Sequence, residues 1–144
     1  MRRRLVPLLV LTAATVGTLF VGPAHADIDA IATTLAGDAE VPGPGDEDGF
    51  GTAIVILDSD AGEVCVRFRI REIAPAAAAH IHVGGPEVAG PVVVTLPTPM
   101  RGRSSGCVGA STDLIQRIID NPGDFYVNVH NARFPGGAVR GQLG

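Results

Sequence analysis

Residues 63–71 read Glu-Val-Cys-Val-Arg-Phe-Arg-Ile-Arg, and this stretch decides the fold class. Valine, phenylalanine and isoleucine occupy every second position, and cysteine or arginine fills the interior positions between them. Side chains on a strand alternate between its two faces, so the pattern predicts a strand with one apolar and one polar face. The apolar face would line a core, and the other face would carry Cys65 and the guanidinium groups.

Short segments of the same kind recur along the chain, separated by turns rich in glycine, proline and acidic residues. Regularly spaced short strands with turn signals between them are typical of antiparallel sandwiches and barrels. We therefore expect an all-β, antiparallel Greek-key sandwich or barrel of the immunoglobulin-like or superoxide-dismutase-like type. The predicted strands cover residues 31–36, 49–57, 63–71, 79–83, 91–96, 105–110, 125–130 and 138–143.

A single segment departs from the strand pattern and predicts one short helix over residues 111–121. Ser111, Thr112 and Asp113 open it with residue types that cap helices, and Asn121-Pro122-Gly123 ends it. Its apolar stripe is expected to pack on the sheet, since the segment is short and lacks the basic face of a membrane-surface helix. The stripe consists of Leu114, Ile115, Ile118 and Ile119.

The first residues form a predicted export signal. Residues 2–4 are arginines, residues 5–22 are mainly apolar, and Ala24-His25-Ala26 follows. A cationic start, a hydrophobic centre and a small-residue end are the three parts of a secretory signal peptide. We expect cleavage after Ala26 and a location outside the cell or in the cell envelope. A retained membrane anchor is the alternative, and it fits less well because Pro7 and several threonines interrupt the run.

The size and charge of the rest of the chain limit its number of domains and its possible partners. Residues 27–144 have the length of one domain with a modest core. The whole chain carries a formal charge of −4, and loss of the N-terminal arginines makes the mature domain more acidic. Negative charge argues against nucleic acid and anionic membrane surfaces as partners. We expect neither a nucleic-acid partner nor, after cleavage, a membrane partner.

The chain has two cysteines, Cys65 and Cys107. In an exported protein an even, low cysteine count predicts one disulfide, whereas a reactive or metal-bound thiol pair would need a spacing that these residues lack. Closing a loop of this length stabilises the fold by about 4 kcal/mol on the chain-entropy model.

Five ordered motifs resemble the CHRD (chordin) domain family. The two cysteines also lie where that family often has its pair, while Ala138 departs from a position where the family commonly has a glutamate. The departure removes a salt bridge that such a glutamate could make to Arg140. The motifs are residues 37–42 (Gly-Asp-Ala-Glu-Val-Pro), 80–84 (His-Ile-His-Val-Gly), 90–94 (Gly-Pro-Val-Val-Val), 126–130 (Tyr-Val-Asn-Val-His) and 140–143 (Arg-Gly-Gln-Leu).

The resemblance implies a single extracellular all-β module. In animal chordins the domain is repeated and accompanies growth-factor-binding, cysteine-rich modules. This chain has one copy and none of those modules, so the resemblance does not imply growth-factor antagonism.

Three histidines on two predicted strands are the candidate metal ligands. His80 and His82 are two positions apart and so share one face, and His130 lies on the outward face of another strand. Three imidazoles with an open fourth position suit a mononuclear zinc or copper ion. We hold this site as an alternative function, and neither zinc nor copper is a certain cofactor.

The competing interpretation is a structural hydrogen-bond network. Buried polar groups need partners, and the residues that accompany the histidines supply both donors and acceptors. This network would include Tyr126, Asn128, Arg140 and Gln142.

Other sequence patterns are weaker indications of a catalytic or binding site. Residues 102–106 match the Gly-x-Ser-x-Gly motif of serine hydrolases, but that motif works on a strand–turn–helix of a large α/β sheet, so we predict a loop. Acidic turns at residues 46–48 and 58–60 lack the spacing of a calcium loop. No catalytic constellation is evident, and we expect a non-enzymatic binding or structural module whose partner is an unidentified extracellular protein or polysaccharide.

Overall fold

The alternating segments form the strands of one antiparallel sheet, with a single α-helix beside it, in a computed structural model that describes residues 28–144. The predicted signal peptide, residues 1–26, lies outside the described residues. Two short 3-10 helices, Gly37–Ala39 and Pro122–Asp124, were not predicted. The other elements are β1 (Ile28–Ala36), β2 (Phe50–Asp58), β3 (Glu63–Arg71), β4 (Ala76–Val83), β5 (Val92–Thr95), β6 (Arg103–Gly109), α1 (Thr112–Asp120), β7 (Phe125–Asn131) and β8 (Val139–Gln142).

The eight strands follow the order β5-β4-β7-β8-β1-β2-β3-β6 and curl into a nearly closed, barrel-like sheet. Every pairing between neighbours is antiparallel. At the gap between the two edge strands, the Ser104 hydroxyl of β6 donates a hydrogen bond of 2.7 Å to the carbonyl of Pro97, just after β5. The predicted all-β antiparallel class, with one helix, is confirmed.

Inward-facing side chains of the strands fill the barrel. On β3, Val64, Val66, Phe68 and Ile70 are buried, as the alternation predicts. Helix α1 adds Ile115 and Ile118 to this core, and the Ser111 hydroxyl caps it by accepting a hydrogen bond from the Leu114 amide. Burial of apolar area in this single core is the main favourable contribution to folding.

The predicted disulfide joins neighbouring strands on the outside of the barrel. Cys65 of β3 lies directly opposite Cys107 of β6, and the two residues form the bond. The prediction of one disulfide is therefore confirmed, and it fastens the edge strand β6 to the rest of the sheet.

Candidate functional site

The outer faces of β4, β7 and β8 carry the candidate residues in cross-strand rows. His82 pairs with Tyr126, which pairs with Gln142, while His80 pairs with Asn128, which pairs with Arg140. His130 extends the same face of β7 and lies opposite Ala78. The structure thus brings together every residue that the sequence singled out for a ligand site or a network. We call His80, His82, Tyr126, Asn128, His130, Arg140 and Gln142, together with Glu40, the polar cluster.

The loop over residues 84–91 covers this cluster, held by side-chain donors from below. Arg140 donates to the carbonyls of Gly85 (2.7 Å) and Val88 (3.0 Å), and Gln142 donates to the carbonyl of Gly84 (2.8 Å). Backbone carbonyls buried under a loop need such partners, because an unsatisfied one costs about 1–3 kcal/mol. The arginine and glutamine of β8 therefore fix the loop path.

Arg140 is the centre of the cluster. Its guanidinium carbon lies 3.4 Å from the centroid of the Tyr126 ring, a stacked cation–π contact, and the residue is 2% exposed. The Tyr126 hydroxyl accepts a hydrogen bond of 3.1 Å from the Gly90 amide, and its ring stacks on His82 with 4.8 Å between centroids. The tyrosine is thereby packed between a cation and an imidazole.

Glu40 also belongs to this cluster, although no role was predicted for it. Its carboxylate accepts a hydrogen bond of 3.0 Å from the Asn128 side chain, and it lies close enough to Arg140 to be stabilised by that positive charge. Burial outweighs both contacts and raises the pKa of Glu40 to about 7. Gly137 lies against this carboxylate at positive φ, where a Cβ would overlap its oxygens. The signal that could have found Glu40 was its place in the first family motif.

Three imidazole rings converge at the end of the cluster formed by β4 and β7. A ring nitrogen of each of His80, His82 and His130 lies within 4.8 Å of the others, and His80 Nδ1 is 3.1 Å from His130 Nε2. Two of the rings are anchored, because His82 Nδ1 donates to the Gly90 carbonyl (2.8 Å) and His130 Nδ1 donates to the Pro135 carbonyl (3.1 Å). The anchors fix the orientation of those two rings.

Burial lowers the pKa of all three histidines below the ordinary value. The mutual repulsion of their positive charges lowers the pKa further for His80 and His130. The rings are thus held in the neutral form, which is the form that can accept a hydrogen bond or bind a metal ion.

A comparison with protein-family models matches the CHRD domain over residues 31–143, nearly all of the chain that the structure describes. The chain belongs to the CHRD domain family. No curated protein and no solved structure matches it. The residues that the resemblance rested on therefore mark a CHRD fold, and their contacts show how this member builds it.

The departure at Ala138 has a structural replacement in this CHRD domain. Ala138 is fully buried, and its carbonyl accepts a hydrogen bond of 2.9 Å from the Asp46 amide. Glu40 places its carboxylate near Arg140 instead, from a loop far away in the sequence. The buried arginine of β8 thus keeps an acidic neighbour without a glutamate at position 138.

A second polar face of the CHRD domain lies on the opposite stretch of the sheet. The outward side chains of β3 and β6 include Arg67, Arg69 and Arg103, and Arg69 pairs directly with Arg103 across the strands. With Arg71 at the end of β3 and Arg101 in the turn before β6, these residues form what we call the arginine face. All five are exposed.

The remaining candidate motifs do not assemble a site. Residues 103–106 belong to β6 rather than to the predicted loop, because they pair with residues 66–69 of β3. Asp58 accepts a hydrogen bond of 2.8 Å from the Ala61 amide, as in an ordinary acidic turn. Within residues 28–144, no helix has the length and apolar character needed to cross a membrane.

Proposed function

We propose that this protein is an exported, non-catalytic CHRD module that binds an acidic polysaccharide through its arginine face. The observation that carries the proposal is the row of guanidinium groups on β3 and β6, which concentrates positive charge on one face although the net charge of the chain, −4, is unfavourable for a polyanion. Among the described residues, Arg140 is the only arginine whose guanidinium makes a hydrogen bond, so the five groups of the arginine face remain available. Guanidinium groups bind carboxylate and sulfate oxygens in a bidentate manner.

The spacing of the row favours a polymer with repeated charges. Alternate residues on a strand are about 6.6 Å apart, so Arg67, Arg69 and Arg71 present charges at a regular interval along β3. Arg69 and Arg103 are direct cross-strand neighbours of like charge, which costs stability unless an anion lies between them. A polymer that carries one acidic group on every sugar, or on every second sugar, could relieve that repulsion at several points.

An apolar groove beside the row favours sugar rings over a purely ionic partner. Phe50 is 51% exposed and pairs with Arg71 across β2 and β3. It lines a groove of about 550 Å³ whose walls are mostly apolar and which ends at Arg69 and Arg71. The C–H faces of a sugar ring can pack on such a surface while its acidic groups reach the arginines.

Affinity for immobilised polysaccharides tests this function. We expect the mature protein to bind polygalacturonate or a sulfated glycan, to pass through neutral dextran, and to elute as salt rises, because salt screens exposed charges. Arg69→Gln with Arg103→Gln should lower the affinity at least tenfold. A matched control pair, Arg117→Gln with Arg133→Gln, removes the same charge from other parts of the surface and should have little effect.

Equal losses in the two charge-matched pairs would show that net charge, rather than the arginine face, governs binding. Phe50→Ala separates the contributions further. It should weaken binding without changing the dependence on salt, since it removes apolar contact and no charge.

Export is the other part of the proposal and rests on the features of residues 1–26. Expression of the full chain in a secreting bacterial host should yield extracellular or envelope protein that begins at Asp27. N-terminal sequencing measures the cleavage point, and protein that retains Met1 and stays with the membrane would contradict export by cleavage.

A further inference from the structure

His82 holds a buried nitrogen that has no partner among the described residues. Its Nδ1 donates to the Gly90 carbonyl, and a carbonyl can only accept, so the hydrogen of the neutral ring is on Nδ1. The lone pair is then on Nε2, which is buried and makes no hydrogen bond. The residue itself is 8% exposed. An unpaired buried acceptor costs about 1–3 kcal/mol, so a ligand that binds this nitrogen would recover that free energy.

A backbone carbonyl sets the tautomer of His130 in the same way. Its Nδ1 donates to the Pro135 carbonyl, which leaves the lone pair of the neutral ring on Nε2. That nitrogen accepts a hydrogen bond of 3.1 Å from His80 Nδ1, and a metal ion would take the place of this hydrogen bond. Two rings on neighbouring strands therefore hold their lone pairs at Nε2 by the same device, a backbone carbonyl bound to the opposite nitrogen. Metal-binding histidines in proteins are commonly oriented by such a bond.

From this arrangement we infer that His80, His82 and His130 bind one divalent zinc or copper ion. Their ring nitrogens already lie within 4.8 Å of one another. Around a tetrahedral ion with bonds of 2.0–2.1 Å the ligand nitrogens are about 3.3 Å apart, so modest rotation of the rings closes the site. The inference goes beyond the polysaccharide-binding function and involves the opposite face of the sheet.

The donor set selects the class of ion. Three neutral imidazoles suit zinc and copper(II), whereas calcium and magnesium prefer oxygen ligands. His80 and His130 are partly exposed, so a water molecule or a small anion can take a remaining coordination position from the solvent side. His82 lies deepest, between the Tyr126 ring and the loop over residues 84–91.

Metal titration of the untagged mature protein tests the site. After removal of metal with a chelator, zinc chloride and copper chloride are titrated separately by calorimetry, and the metal content of the dialysed protein is measured by mass spectrometry. We expect one equivalent of either ion per chain, with copper bound more tightly, and a higher thermal unfolding midpoint in the presence of metal. Cobalt(II) should give the visible absorption of a low-coordinate nitrogen site.

Variants separate binding at the three histidines from binding elsewhere. His80→Gln and His130→Gln keep a polar side chain at each position and should weaken metal binding at least a hundredfold. Arg117→Gln is the control, since it introduces the same glutamine at an exposed position of α1, outside the polar cluster, and takes away no ligand. It should retain the one-to-one stoichiometry and the wild-type affinity.

Either of two results would overturn the inference: folded wild-type protein that takes up no stoichiometric zinc or copper, or equal metal affinity in wild type and both glutamine variants. Circular dichroism of each variant establishes that it is folded before the comparison is made. Failure here leaves the polysaccharide experiment unaffected, because the arginine face contains none of these residues.

Discussion

Arg140 and Arg69 both lie on the outer surface of the barrel, yet Arg140 is 2% exposed and Arg69 is exposed to solvent. Around Arg140, the loops over residues 84–91 and 132–138 supply carbonyls to its guanidinium and to the neighbouring histidine rings, and the loop over residues 37–49 supplies the Glu40 carboxylate. Around Arg69 the strands are joined by tight turns, and the arginines face water. The same strand alternation therefore gives a largely buried polar cluster on one side and a solvent-exposed arginine face on the other.

The contrast teaches that an outward strand position does not determine what its side chain contributes. In the polar cluster, Arg140 donates hydrogen bonds to backbone carbonyls that would otherwise have no donor, so its removal should lower the free energy of unfolding. On the arginine face the same residue is solvated and contributes little to folding, so it is free to serve binding.

The largest expected effect is that of Arg140→Met. This change keeps most of the side-chain length but leaves the carbonyls of Gly85 and Val88 without donors and Glu40 without its positive neighbour. We expect a loss of about 3–5 kcal/mol in the free energy of unfolding, measured in urea.

Arg69→Met is the control for that measurement and should stay within about 0.5 kcal/mol of wild type. Similar losses in the free energy of unfolding at positions 140 and 69 would show that the polar cluster and the arginine face do not differ in their contribution to stability.

The disulfide gives the open face a covalent support in place of covering loops. Replacing Cys65 and Cys107 by serine frees the edge strand β6, and we expect a loss of about 2–4 kcal/mol. A reducing agent should lower the free energy of unfolding of wild type by a similar amount. It should leave the free energy of unfolding of the double variant unchanged. A double variant as stable as oxidised wild type would show that pairing along β6 suffices by itself.

The third prediction concerns pH and the polar cluster. The pKa of Glu40 is raised from 4.5 to about 7, so between these values the folded protein holds a proton that the unfolded chain has released. The contribution of Glu40 to stability therefore falls as pH rises through this window, by a total on the order of 2 kcal/mol after allowance for solvent screening.

Comparison of wild type with Glu40→Gln isolates this contribution from that of the histidines, whose lowered pKa values act in the opposite direction. Urea unfolding at several pH values should show wild type losing stability relative to the variant between pH 5 and pH 8. A constant difference over that range would mean that Glu40 titrates normally.

The smallest expected effect lies on the arginine face. Arg103→Gln removes the like-charge contact with Arg69 and should raise the thermal midpoint slightly at low salt, corresponding to a gain of about 0.5 kcal/mol or less. High salt screens the repulsion in wild type, so the difference should disappear there. A stability loss at low salt would indicate that the two guanidinium groups stack favourably.

The sequence was sufficient to predict the strands and the α-helix, because alternation and helical spacing are local properties. Residues 63–71 and 125–130 showed which side chains point inward, and the Ser111 cap showed where the helix begins. It also placed His80 and His82 on one face. The pairing of β4 with β7, which brings His130 to them, depends on contacts between distant parts of the chain and could not be deduced locally.

Glu40 illustrates what local patterns miss. It lies in a loop, and its partner Asn128 is 88 positions further along the chain. No periodicity links a loop carboxylate to a strand that forms so much later. The sequence could not predict the anchoring carbonyls of Gly90 and Pro135 either. Every residue has a backbone carbonyl, and the residue type does not show what that carbonyl binds. The sequence suggested the members of the cluster but not the bonds that orient them.

Strand β8 comes later in the chain than the loop over residues 84–91, yet its Arg140 and Gln142 hold that loop in place. Until this strand has been synthesised, those carbonyls lack their donors and Tyr126 has no cation to stack on. The β1–β2–β3 meander, which is paired from neighbouring segments, can form much earlier. The covering of the polar cluster by this loop therefore depends on the last strand of the chain, whereas the pairing of β1, β2 and β3 does not.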